Sequence, residues 1–163
     1  MSIEKEAVYD AIRRGYSDLS NADESTIDAY FSEVNMDSLT GHIGNIKGIL
    51  FEQEYVDQLQ NDGIDAIVYE EVNHPMSDMM ILENGEVVED LQLKATESIA
   101  YVQDTLNSVG TDVTVVTTTE VAQYFDGDVI DSGISERLLE EAVSDVIMPI
   151  SSVTIIKLFF GIF

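Results

Sequence analysis

Residues 78–95, which read DMMILENGEVVEDLQLKA, contain the pattern that decides the fold predicted from this sequence. The pair Asn84-Gly85 stands between two apolar runs, and this pair is typical of a two-residue β-hairpin turn. It therefore predicts two antiparallel strands, over 78–82 and 87–95. Apolar and polar residues alternate along the second strand, which is typical of a strand with one face on a core.

Two further strands extend this hairpin into a sheet. The run IDAIVYE predicts a strand at 64–70, and DVTVVTTT predicts one at 112–119. A helix over 97–109, capped by Thr96, separates the second hairpin strand from the last strand, and this connection is long enough for a parallel return. We expect its core-facing residues to be Ile99, Val102 and Leu106. The sequence thus predicts an α/β domain with a mixed sheet of about four strands, flanked by helices.

Helical patterns surround this sheet, and they divide the chain into three predicted parts. Residues 1–46 form a helical N-terminal extension, residues 47–147 the core domain, and residues 148–163 an apolar tail. Glycines 41, 44 and 48 punctuate the stretch around the start of a third helix, which we expect over 46–60. We expect the last helix to cover 134–147. The apolar positions of the first two helices recur at helical spacing: Val8, Ile12, Tyr16 and Leu19, then Ile27, Tyr30, Phe31 and Val34.

The charge of the chain is extreme, with 32 acidic residues, 7 Lys plus Arg, and a net charge of −25. A protein this acidic repels nucleic acid at ordinary salt, because cations bind the phosphate backbone. Three interpretations stay open: adaptation to high salt, mimicry of a nucleic acid, or a solvated acidic surface. The acids are spread along the whole chain, which favours a surface property over an acidic arm.

Cysteine is absent, which excludes disulfides, zinc-thiolate sites and a thiol nucleophile. The first residues lack the apolar core of a signal peptide, so we expect a cytoplasmic protein. From Val146 to Phe163 the chain has 18 residues, which is the lower limit of a membrane span, and this stretch includes Pro149 and Lys157. A membrane-spanning helix is one interpretation of this tail, but a packed strand, a hydrophobic partner interface or a peripheral membrane anchor is favoured.

Lys94 stands out because it is the only Lys or Arg between Lys47 and Arg137, a stretch that holds 20 acidic residues. On a strand it shares a face with Gln92, and Asp78 at the head of the neighbouring strand can lie beside that face. Hydrolysis of a phosphodiester needs a divalent ion with hard oxygen ligands, and a nearby cation stabilises the developing charge. These residue types, on adjacent strands, favour such a site.

This arrangement resembles the core of the PD-(D/E)XK nuclease superfamily, which has the restriction-endonuclease-like fold. The resemblance covers about residues 47–120, and the glutamine form resembles methyl-directed restriction and Holliday-junction-resolvase-like branches. Pro75 does not directly precede Asp78, and Gln92 replaces an acid, which removes one charge from the metal site. The resemblance implies these roles: Asp78, Gln92, the backbone carbonyl of Leu93 and Glu52 as metal ligands, Lys94 as the catalytic lysine, and Glu54 as second choice for Glu52.

The resemblance implies a DNA endonuclease that depends on Mg²⁺ or Mn²⁺, and the small size of the core favours a homodimer. Two alternatives are a catalytically inactive binding or assembly module of the same fold, and an acidic nucleic-acid mimic. Each site residue also has a non-functional interpretation. Lys94 can be a solvated strand residue, Asp78 a cap of its own turn, and Glu52 a solvent-facing helix acid. Glu120 is expected to close a strand or to border the cleft.

Overall fold

The computed structural model describes residues 2–69 and 77–148, and the chain divides into two compact units. The first unit comprises Met1–Lys47 and Glu140–Phe163, and the second comprises Gly48–Leu139. All of the predicted site residues belong to the second unit.

The first unit is helical, as its periodicity predicts. Helix α1 covers Lys5–Gly15, a 3₁₀ turn covers Ser17–Leu19, and helix α2 covers Glu24–Ser32. Asp23 caps α2, because its carboxylate accepts a hydrogen bond of 2.8 Å from the backbone N–H of Thr26. Most of the predicted apolar positions are buried: Val8, Ile12, Leu19, Ile27 and Phe31.

Helix α3 corrects the expectation that glycines divide this region. It runs without interruption over Met36–Asn61, 26 residues that include Gly41, Gly44 and Gly48. Each glycine costs a helix about 0.5–1 kcal/mol relative to alanine. Burial of a large aliphatic side chain contributes about 1.5–3 kcal/mol, so buried residues such as Ile46, Ile49 and Leu50 outweigh that cost.

The second unit contains a mixed sheet of five strands in the order β1-β2-β3-β4-β5. Strands β1 to β3 pair antiparallel, whereas β4 pairs parallel with β3, and β5 parallel with β4. The α/β class and the mixed sheet are confirmed, but the sheet has one strand more than expected. The strands are β1 Asp65–Val68, β2 Met79–Glu83, β3 Glu86–Lys94, β4 Val113–Thr117 and β5 Ile130–Asp131.

The extra strand, β5, lies in a segment that the sequence predicts to be a loop. It has two residues, and they pair with Val116 and Thr117 of β4. Two residues are too few to produce the alternation by which strands are predicted. The neighbouring glycines, Gly127 and Gly133, have positive φ angles and indicate turns on either side.

The β2–β3 hairpin forms where Asn84-Gly85 predicts it. The turn joins the paired residues Glu83 and Glu86, and φ is 53° at Asn84 and 81° at Gly85. Positive φ at both central residues is the requirement of a type I′ turn, whose twist matches that of the paired strands. A β-bulge then shifts the register by one residue, because Leu82 pairs with Val87 whereas Ile81 pairs with Glu89. The turn and the bulge together determine which residues face each other at the candidate site.

Helix α4 covers Ile99–Val109 and forms the parallel connection between β3 and β4. Its cap is Ser98, not Thr96 as expected: the Ser98 hydroxyl accepts from the N–H of Tyr101, and Thr96 accepts from the N–H of Ser98. Ile99 was expected to face the core, but it is 46% exposed. It is the first residue of the helix, and helical side chains lean toward the N-terminus, where no earlier turn lies beside it. The core cluster beside α4 consists of Val102, Val109, Val115, Val121, Ala122, Phe125 and Val129, with Leu106 packed against it.

Two further helices follow: α5 over Thr119–Ala122 and α6 over Glu136–Ile147. Across residues 2–69 and 77–148, no helix has both the length and the apolar character that a membrane span requires. The predictions for the tail at 149–163 concern residues outside the described part of the chain.

Candidate active site

Three polar residues alternate along β3, and each is held by a side chain from another part of the second unit. Leu91 and Leu93, which alternate with them, are buried, so the polar residues share the opposite face of the strand. The three hydrogen bonds run from Tyr69 Oη to Asp90 Oδ1 (2.6 Å), from Gln92 Nε2 to Asp78 Oδ2 (2.6 Å), and from Lys94 Nζ to Tyr101 Oη (3.1 Å).

Asp78 connects the two hairpin strands at the point where β2 begins. Its backbone N–H donates to the carbonyl of Leu91 at 2.8 Å, and its own carbonyl accepts from the N–H of Tyr69 at 3.0 Å. Its carboxylate reaches further along β3, because Oδ2 accepts both from Gln92 Nε2 and from the N–H of Leu93, the latter at 2.8 Å. The structure therefore places Asp78 and Gln92 side by side.

The ordinary interpretation of Asp78 is that its carboxylate caps its own turn, but its hydrogen bonds reach further. Both of these hydrogen bonds link it to the neighbouring strand, and a hydrogen bond to a charged group contributes about 1.5–3 kcal/mol. Gln92 is 9% exposed, so little water competes for the pair. Asp78 is thus fixed relative to β3 by its main chain and its side chain together.

The backbone carbonyl of Leu93, one of the predicted metal ligands, faces the same edge of β3 as Asp78. In a strand, the N–H and C=O of one residue point toward the same neighbouring strand. The Leu91 carbonyl and the Leu93 N–H both meet Asp78, so the Leu93 carbonyl also points to that side. Carboxylate and carbonyl oxygens, the hard ligands that Mg²⁺ takes, therefore lie along one edge.

Gln92 fits a metal site only after its side-chain amide rotates. It presents its nitrogen, Nε2, to Asp78 Oδ2, so the amide oxygen is the end turned away from that carboxylate oxygen. A half-turn of the amide would place the oxygen beside Asp78. Within residues 2–69 and 77–148, no three His, Cys, Asp or Glu side chains are grouped to hold a metal ion. A metal here would therefore depend on the amide and carbonyl oxygens as well as on carboxylates.

Glu52 lies on the part of α3 that belongs to the second unit. It is 9% exposed, so the ordinary reading of a solvent-facing helix acid is wrong for this residue. Burial of a carboxylate costs much free energy unless the group is paired or coordinated. Its burial distinguishes Glu52 from the surface acids of this chain. Its role as a metal ligand stays a prediction.

Lys94 is half-buried, and Tyr101 holds its ammonium group. The Nζ atom is 3.1 Å from the hydroxyl oxygen of Tyr101 and 5.0 Å from the centre of its ring. Since the hydroxyl is much the nearer, the ammonium lies at the phenol end of the ring and the hydrogen bond is the main contact. Lys94 is thus positioned by a defined partner, unlike an ordinary solvated strand residue.

A cavity of about 580 Å³ opens between the polar face of β3 and helix α4. Gln92 and Lys94 line it from the strand, and Tyr101, Asp104 and Ser108 line it from the helix. Neither Tyr101 nor Asp104 was predicted from the sequence to be a site residue. Their spacing, three residues apart on a helix that follows the Lys94 strand, was a usable clue, because i and i+3 share a helix face.

Glu120 has a structural role, and the expectation that it borders the cleft is not supported by its bonds. Its carboxylate accepts from Ser135 Oγ at 2.9 Å and from the N–H groups of Glu136 and Arg137 at 2.8 and 2.9 Å. Burial raises the pKa of Glu120, but these backbone and hydroxyl hydrogen bonds outweigh burial, so its pKa lies below the ordinary value. It is a capping residue for α6.

Comparison with known proteins gave no match: no family model, curated protein or solved structure is similar to this chain.

Proposed function

We propose that the second unit is a nuclease domain of PD-(D/E)XK type that hydrolyses DNA phosphodiester bonds with Mg²⁺ or Mn²⁺. The observation that carries the proposal is the contact of Asp78 with both Gln92 and Leu93 across the hairpin, with Lys94 on the face of β3 that Gln92 occupies. The antiparallel hairpin, followed by a helix and a parallel strand, is compatible with a restriction-endonuclease-like fold.

A bound divalent ion would neutralise the charge of the phosphate and lower the pKa of the attacking water. Asp78 and the Leu93 carbonyl would hold the ion, with the rotated Gln92 amide and Glu52 completing the ligands. Lys94 contributes the positive charge on the cavity side, where it stabilises negative charge that develops on the phosphate. Tyr101 keeps that ammonium in place through the bond of 3.1 Å.

Cleavage assays on the full chain test this proposal. Lys94→Ala and Asp78→Ala should each abolish cleavage of DNA in Mg²⁺ or Mn²⁺, while circular dichroism shows a retained fold. The matched control is Asp90→Asn, because Asp90 shares the strand face but binds Tyr69; this variant should keep its activity. The proposal fails if the wild-type chain cuts no single-stranded, double-stranded or branched DNA at either low or molar salt.

One observation favours the alternative of an inactive binding or assembly module. Gln92, an amide where the superfamily pattern allows an acid, turns its nitrogen toward Asp78, and an amide nitrogen donates a hydrogen bond but does not ligate a metal ion. The net charge of −25 also favours partners other than DNA, including a basic protein that a nucleic-acid mimic would occupy. Calorimetry separates the readings, because only the nuclease requires Mn²⁺ binding that is lost in Asp78→Ala.

The homodimer belongs to the same proposal, because one such core reaches the scissile bond of a single strand. Sedimentation of the full chain and of a chain that lacks residues 149–163 tests it. A dimer that persists without the tail supports a nuclease dimer. Self-association that is lost with the tail supports an assembly module.

A further inference from the structure

We infer that the cavity between β3 and α4 takes one unpaired nucleotide, so that the substrate of the proposed nuclease is single-stranded DNA. The inference rests on the proposed function and names its substrate class. Three features carry it: the size and lining of the cavity, the exposed ring of Tyr101, and the balance of charge around Lys94.

The cavity has the dimensions and chemistry of a site for a nucleotide. Its volume of about 580 Å³ lies within the range of about 300–1,000 Å³ that is usual for small-molecule sites. Gln92 and Asp104 provide amide and carboxylate groups that can bond the edge of a base, and Lys94 provides a cation for a phosphate. A base within a duplex reaches such a cavity only by leaving its stack, whereas an unpaired base enters without that penalty.

Tyr101 offers a surface on which a base can stack. Its side chain is 49% exposed, although it lines the cavity. Lys94 contacts the phenol end of the ring, so this contact leaves the face of the ring available. Stacking on aromatic side chains is the common means by which proteins bind single strands, and it tolerates any base.

The cavity beside this ring is lined by one cation, Lys94, and one acid, Asp104, whereas the chain as a whole is strongly acidic. Helix α4 begins at Ile99, has no acid in its first turn, and therefore presents the positive end of its dipole close in sequence to Lys94. One cation and one helix end can hold the phosphate of a single nucleotide. They are too few to offset a net charge of −25 along a duplex, which carries twice the charge density of one strand.

The test is binding of a fluorescent oligonucleotide, as a single strand and as the matching duplex, to the full chain in EDTA and moderate salt. We expect the single strand to bind at least about tenfold more tightly. Tyr101→Leu should weaken that binding about tenfold, whereas Tyr101→Phe, which keeps the ring but loses the hydrogen bond to Lys94, should weaken it less. Tyr124→Leu is the matched control, since Tyr124 belongs to the same unit, is 62% exposed and is not among the residues that line this cavity.

The outcomes distinguish this inference from the nuclease proposal. Equal or tighter binding of the duplex, or equal effects of Tyr101→Leu and Tyr124→Leu, would overturn the inference. If duplex DNA is cut and Tyr101→Leu cuts it normally, the inference fails and the nuclease proposal stands. If single strands bind through Tyr101 but no DNA is cut in any metal, the cavity assignment stands and the nuclease proposal fails.

Discussion

Asp78 and Glu120 are both acids that accept several hydrogen bonds in the second unit, but the two differ in what their partners can do. Both oxygens of Glu120 are held by donors at the start of α6, two of which are backbone N–H groups. Asp78 Oδ2 accepts from the backbone N–H of Leu93 and from the side-chain amide of Gln92, and this amide can rotate. Glu120 is therefore fixed as a cap, whereas the environment of Asp78 can be rearranged.

The surroundings of the two acids reinforce this difference. Glu120 follows β4 and serves the first turn of a helix, where a carboxylate is stabilised by the helix dipole. Asp78 touches a strand whose next polar residue, Lys94, lines a cavity together with Gln92. Several hydrogen bonds to an acid do not by themselves indicate a functional site. The distinction comes from a partner that can change its orientation and from open space beside it.

The largest expected effect of a substitution on stability belongs to Glu120→Ala. It removes the acceptor for two backbone N–H groups and one hydroxyl, and unpaired donors of this kind cost about 1–3 kcal/mol each where they are buried. Because Glu120 is partly exposed, we expect a loss of about 2–3 kcal/mol in the free energy of unfolding, measured with urea.

Asp131→Ala provides the comparison for Glu120→Ala. Asp131 accepts only from the Thr119 hydroxyl and the N–H of Gly133, and both contacts are exposed. It should destabilise the protein by less than Glu120→Ala. Equal losses in the two variants would show that the N–H groups of α6 are not held as described. Neither substitution should change DNA cleavage once the protein is folded.

The same contrast explains how much could be predicted from the sequence. The Asn84-Gly85 turn and the alternation in β3 are local patterns, and they predict the hairpin and the strand face that Gln92 shares with Lys94. The β-bulge between Ile81 and Leu82, which shifts the register by one residue and so brings Asp78 level with Gln92, has no signal in these patterns. Glu120 caps a helix that begins 16 residues later, and Tyr101 reaches Lys94 from a different element. These contacts depend on packing between elements, which periodicity does not encode. The exposure of Ile99 and the continuity of α3 escaped prediction for the same reason.

Gln92→Glu tests directly whether the Asp78 pair can hold a metal. Two carboxylates would replace an amide–carboxylate contact of 2.6 Å, so we expect a loss of about 1–2 kcal/mol in EDTA from repulsion between like charges. A divalent ion between them would reverse that loss. Thermal unfolding with and without Mn²⁺ should therefore show a larger stabilisation by metal for Gln92→Glu than for the wild type.

Gln103→Glu is the matched control for Gln92→Glu, since it adds the same charge at an exposed position of α4. Its response to Mn²⁺ should equal that of the wild type. If Mn²⁺ stabilises Gln92→Glu no more than this control, the Asp78 pair is structural, and the proposed metal site is lost.

The smallest expected effect is the pH dependence that Glu120 contributes. Its pKa in the folded protein lies below the ordinary value of 4.5, so the folded state favours the ionised form. The stabilisation is therefore complete above pH 4.5 and is lost as the pH falls through the lower, folded pKa. Glu120→Gln removes this titration, so the difference in unfolding free energy between wild type and variant should be constant above pH 4.5 and shrink below it. Using that difference cancels the titration of the other acids, which both proteins share.

A difference that stayed constant, or grew, on acidification would mean that the N–H groups of Glu136 and Arg137 do not stabilise the charge of Glu120. Glu120 would then not be a fixed cap of α6, and its contrast with the rearrangeable pair of Asp78 and Gln92 would fail.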